Sequence, residues 1–158
     1  MKRLALVLTL VLTLSAGFGC AKKTTQEPVY EGSGNVENQE LVSAVQTISD
    51  SRVYFAFNKY KIESQYDAVL SRDADLLKQF PAIHVRIEGN CDDRGTQEYN
   101  LALGERRARA AYDYLVNHGV NPGQLEMISY GKENPAVLGT GEAVWAKNRR
   151  DDFRVIAQ

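Results

Sequence analysis

The chain has 158 residues, 44% hydrophobic and 25% charged, with 19 Lys and Arg against 20 Asp and Glu for a formal net charge of −1. So even a balance excludes a basic face built to hold nucleic acid. The length suits one domain plus a tether, and only two cysteines, Cys20 and Cys91, are present.

Taken in chain order, Lys2 and Arg3 precede an almost wholly apolar run over residues 4–14. That run is too short to span a bilayer as a mature helix and suits a secretory signal peptide over residues 1–19. Small residues end at Cys20, and a polar run begins directly after it. A cysteine at such a boundary resembles the lipobox of bacterial lipoproteins, whose thiol receives a diacylglycerol; here Gly17 stands where leucine is usual. Cleavage removes Lys2 and Arg3, which moves the net charge from −1 to −3. With Cys20 acylated, Cys91 has no intrachain partner, so the fold rests on its hydrophobic core.

Residues 20–37 are polar, contain Pro28, Gly32 and Gly34, and show no apolar period, as expected of a lipidated tether. Leu41, Val45 and Ile48 recur at helical spacing, so residues 38–52 form a lead-in helix or a linker. The domain proper is expected over 53–158. Val53 to Phe57 is a β-branched and aromatic run that predicts a strand. Ser64 followed by Asp67 resembles a capping box. Tyr66, Val69, Leu70, Ala74, Leu77 and Phe80 then mark one helical face, closed by Pro81. Ile83, Val85 and Ile87 alternate with polar residues up to Gly89, a half-buried strand. A second helix runs from about Thr96 to Asn117, stopped by Gly119 and Pro122. Strands follow at 125–130 and 153–156, with a short helix at 142–147 between them. This order predicts an α/β fold, a small mixed four-stranded sheet with helices packed on one face, βαβαββ.

The stretch GNCDDRGTQEYNLALGERRA, residues 89–108, joins the second strand to the second helix. Asn100, Leu103 and Arg107 fall on nearly one line of that helix, continued by Ala110, Ala111 and Tyr114, while Arg106 and Arg109 turn away. Arg107 therefore lies on or beside the stripe facing the sheet, where an unpaired guanidinium is costly. The loop leaves a strand's C-terminal end and feeds a helix N-terminus, where open sheets place ligands and free N–H groups favour anions. Asp92 and Arg107 at this junction suit a ligand bearing both an ammonium and a carboxylate. The alternative is that Asp92 simply pairs with Arg107 or favours the positive helix end. His84 and His118 are isolated, and no H-E-x-x-H, G-x-S-x-G or P-loop pattern occurs, so an enzyme is not expected, nor a cofactor or metal.

The same run, with VYFAFNKYKI before it and SYGKENPAVLG and AKNRR after it, closely resembles the peptidoglycan-associated lipoprotein (Pal) family, whose domain is the OmpA-like peptidoglycan-binding domain. The resemblance covers roughly residues 53–150. It implies an outer-membrane lipoprotein, lipid-anchored with its domain in the periplasm, that grips the diaminopimelate of the peptidoglycan stem peptide without catalysis. It also implies partners in a Tol-Pal-like system, a periplasmic TolB-like propeller and inner-membrane Tol proteins, and a role in envelope integrity and cell division. Ala21 after Cys20 implies the outer membrane by the family's sorting rule. By the same resemblance Asp92 meets the ligand ammonium and Arg107 a carboxylate. Arg94, Leu103 and Phe57 line the pocket, Asn100 opens the helical motif, and Asn148, Arg149 and Arg150 support the site. Asn58 stands where the family carries Asp, Cys91 where a small or hydroxylated residue is usual, and Asp151-Asp152 leave the register of the last strand open.

Overall fold

The computed structural model describes residues 33–158. The signal peptide, Cys20 and the tether up to residue 32 lie outside the described residues. Among the described residues no helix is long and apolar enough to cross a membrane.

The order is α1 (Ser33–Ser49), β1 (Arg52–Tyr54), α2 (Asp67–Gln79), β2 (His84–Asn90), α3 (Gln97–Asn117), β3 (Leu125–Gly131), α4 (Glu142–Asn148) and β4 (Arg150–Ala157). The lead-in is a helix, beginning at Ser33 inside the stretch read as tether, and it is held by Ala44 and Ile48, both buried. The sheet order is β1-β4-β2-β3, with β2 and β3 parallel and β4 antiparallel to both its neighbours. This is the expected α/β class with a mixed four-stranded sheet. The parallel β2–β3 pair requires a long crossover, which α3 provides.

Alternation divides the sheet into two chemically different faces. Val53, Val85, Ile87 and Phe153 turn inward and meet Ile48, Leu70, Leu77, Ala108, Ala111 and Leu115 from the helices in one core. Each fully buried aliphatic side chain there contributes about 1.5–3 kcal/mol. The other face carries a ladder of cross-strand ion pairs: Arg52–Asp152 at 2.6 Å, Arg154–Glu88 at 3.1 Å and Arg86–Glu126 at 3.0 Å.

Three local expectations are corrected. β1 stops at Tyr54, not Phe57: Phe55 N still donates to Arg149 O at 2.9 Å, and the chain then leaves the sheet in a turn. That turn puts Asn58 at φ 57, a left-handed conformation that Asn tolerates better than most residues. No capping box forms at Ser64; a 3₁₀ turn over Ser64–Tyr66 leads into α2, and neither end shows a side-chain cap. β4 begins at Arg150 and so contains both aspartates. Asp151 pairs in register with Val53 and Gly89, and Asp152 with Arg52 and Glu88, which settles that register and points Asp151 inward.

One contact sets how α3 approaches the sheet. A Cβ on Gly89 would overlap Gly104 O, and one on Gly104 would come within 2.8 Å of Gly89 O. Backbone therefore touches backbone where α3 crosses the end of β2. This close crossing brings the first turns of α3 and the loop after β2 over one cavity.

Candidate functional site

The cavity, about 230 Å³, is enclosed by the turn after β1, the loop after β2, the first turns of α3 and Arg149 at the end of α4. The loop is built from its own sequence. Cys91 N donates to Gly131 O at 2.7 Å, anchoring the loop to the end of β3. Thr96 caps α3 by accepting from Tyr99 N at 3.2 Å. Asn100, 2% exposed, turns its amide back to Arg94 O at 2.8 Å and Thr96 O at 3.1 Å, so the helix holds the loop that precedes it.

Arg107 is fully buried. Its Nε donates to Lys59 O at 2.9 Å, and Nη1 donates to Asn90 O at 2.7 Å and to Cys91 Sγ at 3.4 Å. Its Cζ lies 5.0 Å from the centre of the Phe55 ring. Among the described residues Nη2 has no partner. Burial lowers its pKa, partly offset by Cys91, Asp151 and Asp92, and the group stays a cation.

Asp92 does not pair with Arg107. Its Oδ2 accepts from Arg94 Nη2 at 2.6 Å and Arg149 Nη1 at 3.3 Å, and its Oδ1 from Arg94 Nε at 3.1 Å and Arg94 N at 3.2 Å. Burial pulls its carboxyl up, but these four bonds outweigh burial and hold it below 3.8. Arg149 is itself fixed by Phe55 O at 2.9 Å and Glu142 Oε1 at 2.5 Å. Arg94 lies between two rings, 3.9 Å from Phe57 and 4.1 Å from Trp145. The Cys91 thiol donates to Asn100 O at 3.3 Å, and burial pushes its pKa up to about 11.

Phe57, Asn58, Asp92, Arg94, Asn100, Leu103, Arg107 and Arg149 thus meet at one cavity. Asn148 stands off it, clamping Val137 N and Val137 O at 2.9 Å each. Arg150 lies on the opposite face of the sheet, bonded to Asp152 at 3.0 Å and to Asn134 O. Tyr99, Trp145 and Glu142 were not singled out from the sequence. Tyr99 OH donates to Asn58 Oδ1 across 41 residues, a pairing that no local spacing announces.

The OmpA family model matches residues 54–149, the segment that carries the entire cavity. The chain belongs to the OmpA family. Within it, similar relatives are peptidoglycan-associated lipoproteins. The one from Pasteurella multocida is 43% identical over 150 residues, covering 95% of this chain and 97% of that protein. The one from Haemophilus influenzae is 53% identical over 98 residues, covering 62% and 64%. The crystal structure of the peptidoglycan-associated lipoprotein from Burkholderia pseudomallei superposes with a TM-score of 0.67 at 47% identity, covering 69% of this chain and 92% of that one. The C-terminal domain of Helicobacter pylori MotB, 24% identical with a TM-score of 0.63, shares the fold.

Proposed function

We propose that this chain is an outer-membrane lipoprotein whose domain holds peptidoglycan noncovalently through the diaminopimelate of the stem peptide. The single observation that carries this reading is Arg107: a fully buried guanidinium at a cavity, aimed by two backbone carbonyls, with Nη2 unpartnered. A buried cation with a free donor calls for an anionic ligand group, and a planar fork suits a carboxylate. The names of the relatives supply the ligand class, peptidoglycan. Arg107 receives the carboxylate of diaminopimelate, the ammonium end faces Asp92 and Asn58, and Phe57, Leu103 and Arg94 enclose the chain between them. Acylation at Cys20 anchors the protein in the outer membrane, and the domain, docking a TolB-like propeller and Tol proteins in turn, contributes to envelope integrity and cell division.

Co-sedimentation with purified sacculi tests the ligand. Wild type should sediment with them and be released by free meso-diaminopimelate. Arg107→Ala should weaken retention at least about tenfold, the loss of one charge-assisted contact, and Arg107→Lys should recover little of it. Equal retention by a folded Arg107→Ala protein would remove the cavity from the proposal.

A further inference from the structure

Two side chains of α4 reach the site without lining the cavity, Glu142 and Trp145. The centre of the Trp145 ring lies 4.1 Å from Arg94 Cζ. Glu142 Oε1 accepts from Arg149 Nη2 at 2.5 Å, and its Oε2 lies 3.9 Å from Arg94 Nη2. Both of these arginines do line the cavity, and both bond Asp92. The segment that carries Glu142 and Trp145 is closed on itself. Asn148 ties its end to its beginning, donating to Val137 O and accepting from Val137 N at 2.9 Å each. Gly139 and Gly141, at φ 126 and 102, turn the chain into α4 between those two points. Residues 137–148 therefore form a loop pinned at its base that presents an acid and a ring to two arginines. A free arginine samples many rotamers, whereas a binding cavity needs each of its arginines in one.

We infer that α4 is a clasp for the cavity: Trp145 and Glu142 are positioning residues that act on ligand binding through Arg94 and Arg149 and do not touch the ligand. This rests on the diaminopimelate reading above and deepens it by adding two residues outside the cavity on which its affinity depends.

The test titrates the full chain in detergent, by calorimetry, with the tripeptide L-Ala-γ-D-Glu-meso-diaminopimelate. Trp145→Ala should lower affinity at least about threefold, the loss of one stacked cation. Glu142→Gln should lower it about two- to fivefold, since Glu142 is 64% exposed and its ion pairs are open to solvent. The indole N–H of Trp145 has no partner among the described residues, so the hold on Arg94 is made by the ring. Trp145→Phe should therefore stay within about twofold of wild type. In an Arg94→Ala background, Trp145→Ala should have no further effect. Wild-type affinity in Trp145→Ala, a Phe variant as weak as the Ala variant, or a loss undiminished without Arg94 would each overturn the inference. Each would leave the diaminopimelate reading standing. Wild-type affinity in Glu142→Gln would strike Glu142 from the clasp. Should Trp145→Ala not fold, Trp145→Leu keeps the bulk without the ring and carries the same expectations.

A second readout needs no ligand. The order parameter of the Arg94 Nε–H bond, from nitrogen-15 relaxation, should be that of a rigid group in wild type and in Trp145→Phe. In Trp145→Ala it should drop by about 0.2 or more. If wild type binds no tripeptide, the diaminopimelate reading fails and this signal decides the clasp alone. A drop upholds it; an Arg94 side chain equally rigid without the Trp145 ring overturns it.

Discussion

Asp92 and Asp151 are both buried carboxyls, 4% and 0% exposed, and both feel arginine charge, yet their pKa values move in opposite directions. Asp92 accepts three bonds from Arg94 of its own loop and a fourth from Arg149, and its pKa is held below 3.8. Asp151 lies mid-ladder between Val53 and Gly89, where backbone N–H groups are occupied by strand pairing. Neither of its oxygens has a partner among the described residues. Burial pushes it well above 3.8 against the pull of Arg107, and Asp152 adds to the rise. Burial therefore does not decide whether a carboxyl is charged; the donors reachable from its backbone position do.

Removing the donated bonds of the first carboxyl should have the largest effect on stability. Asp92→Asn removes the nearest ion partner of Arg94 and one of the two ion partners of Arg149, 6% exposed along its side chain, and should cost about 3 kcal/mol at pH 7. The folded pKa of Asp92 is depressed, so its contribution is present above 3.8 and is lost as the pH falls through the folded value. Thermal melts should show the variant's deficit closing below about pH 3.8. A deficit that persists unchanged in acid would mean that the ionised form is not what stabilises.

The second carboxyl should respond with the opposite sign and less strongly. Asp151→Ala should raise stability at pH 7 by about 1–3 kcal/mol, the penalty of an unsatisfied buried polar group. The folded pKa here is raised, so the wild-type group is least harmful below 3.8 and weakens the fold as the pH rises through its folded value. The gain should therefore shrink as melts are moved from pH 7 toward pH 4. A gain that grows in acid would break the contrast.

The smallest effect adds a third carboxyl at an exposed position. Asn58→Asp should tighten binding of the tripeptide L-Ala-γ-D-Glu-meso-diaminopimelate by a few-fold, about 0.5–1 kcal/mol, with Tyr99 OH as its donor. The gain should fade in high salt and be absent for the N-acetylated peptide. A gain indifferent to acetylation would place the new charge away from the amine.

Much of the frame was legible because it is periodic. The i, i+3, i+7 line through Asn100, Leu103 and Arg107 and the alternation of Ile83, Val85 and Ile87 each follow from one element's geometry, and all six residues are buried. Phe57 was misplaced because a β-propensity run says nothing of where a turn intervenes. The partners of Asp92 could not be read because Arg149 is 57 residues away and reaches it only when β4 lies between β1 and β2. Gly104 reads as a weak point in a helix, and its purpose emerges only opposite Gly89. The inward aim of Asp151 could not be read while the register of the last strand was open, and it follows from the β4 pairing, which turns alternate side chains to alternate faces.

Arg107 is held by the carbonyls of Lys59 and Asn90, which are main-chain atoms. A carbonyl is the same in every residue, so the aim of this guanidinium is indifferent to which side chains occupy positions 59 and 90. It depends instead on the number of residues that bring those carbonyls there. Sequence drift at the exposed position 59 should leave that aim intact, whereas a one-residue insertion or deletion in the turn after β1 would swing its carbonyl away and blind the cavity. Loop length, more than the identity of residue 59, is what fixes this aim.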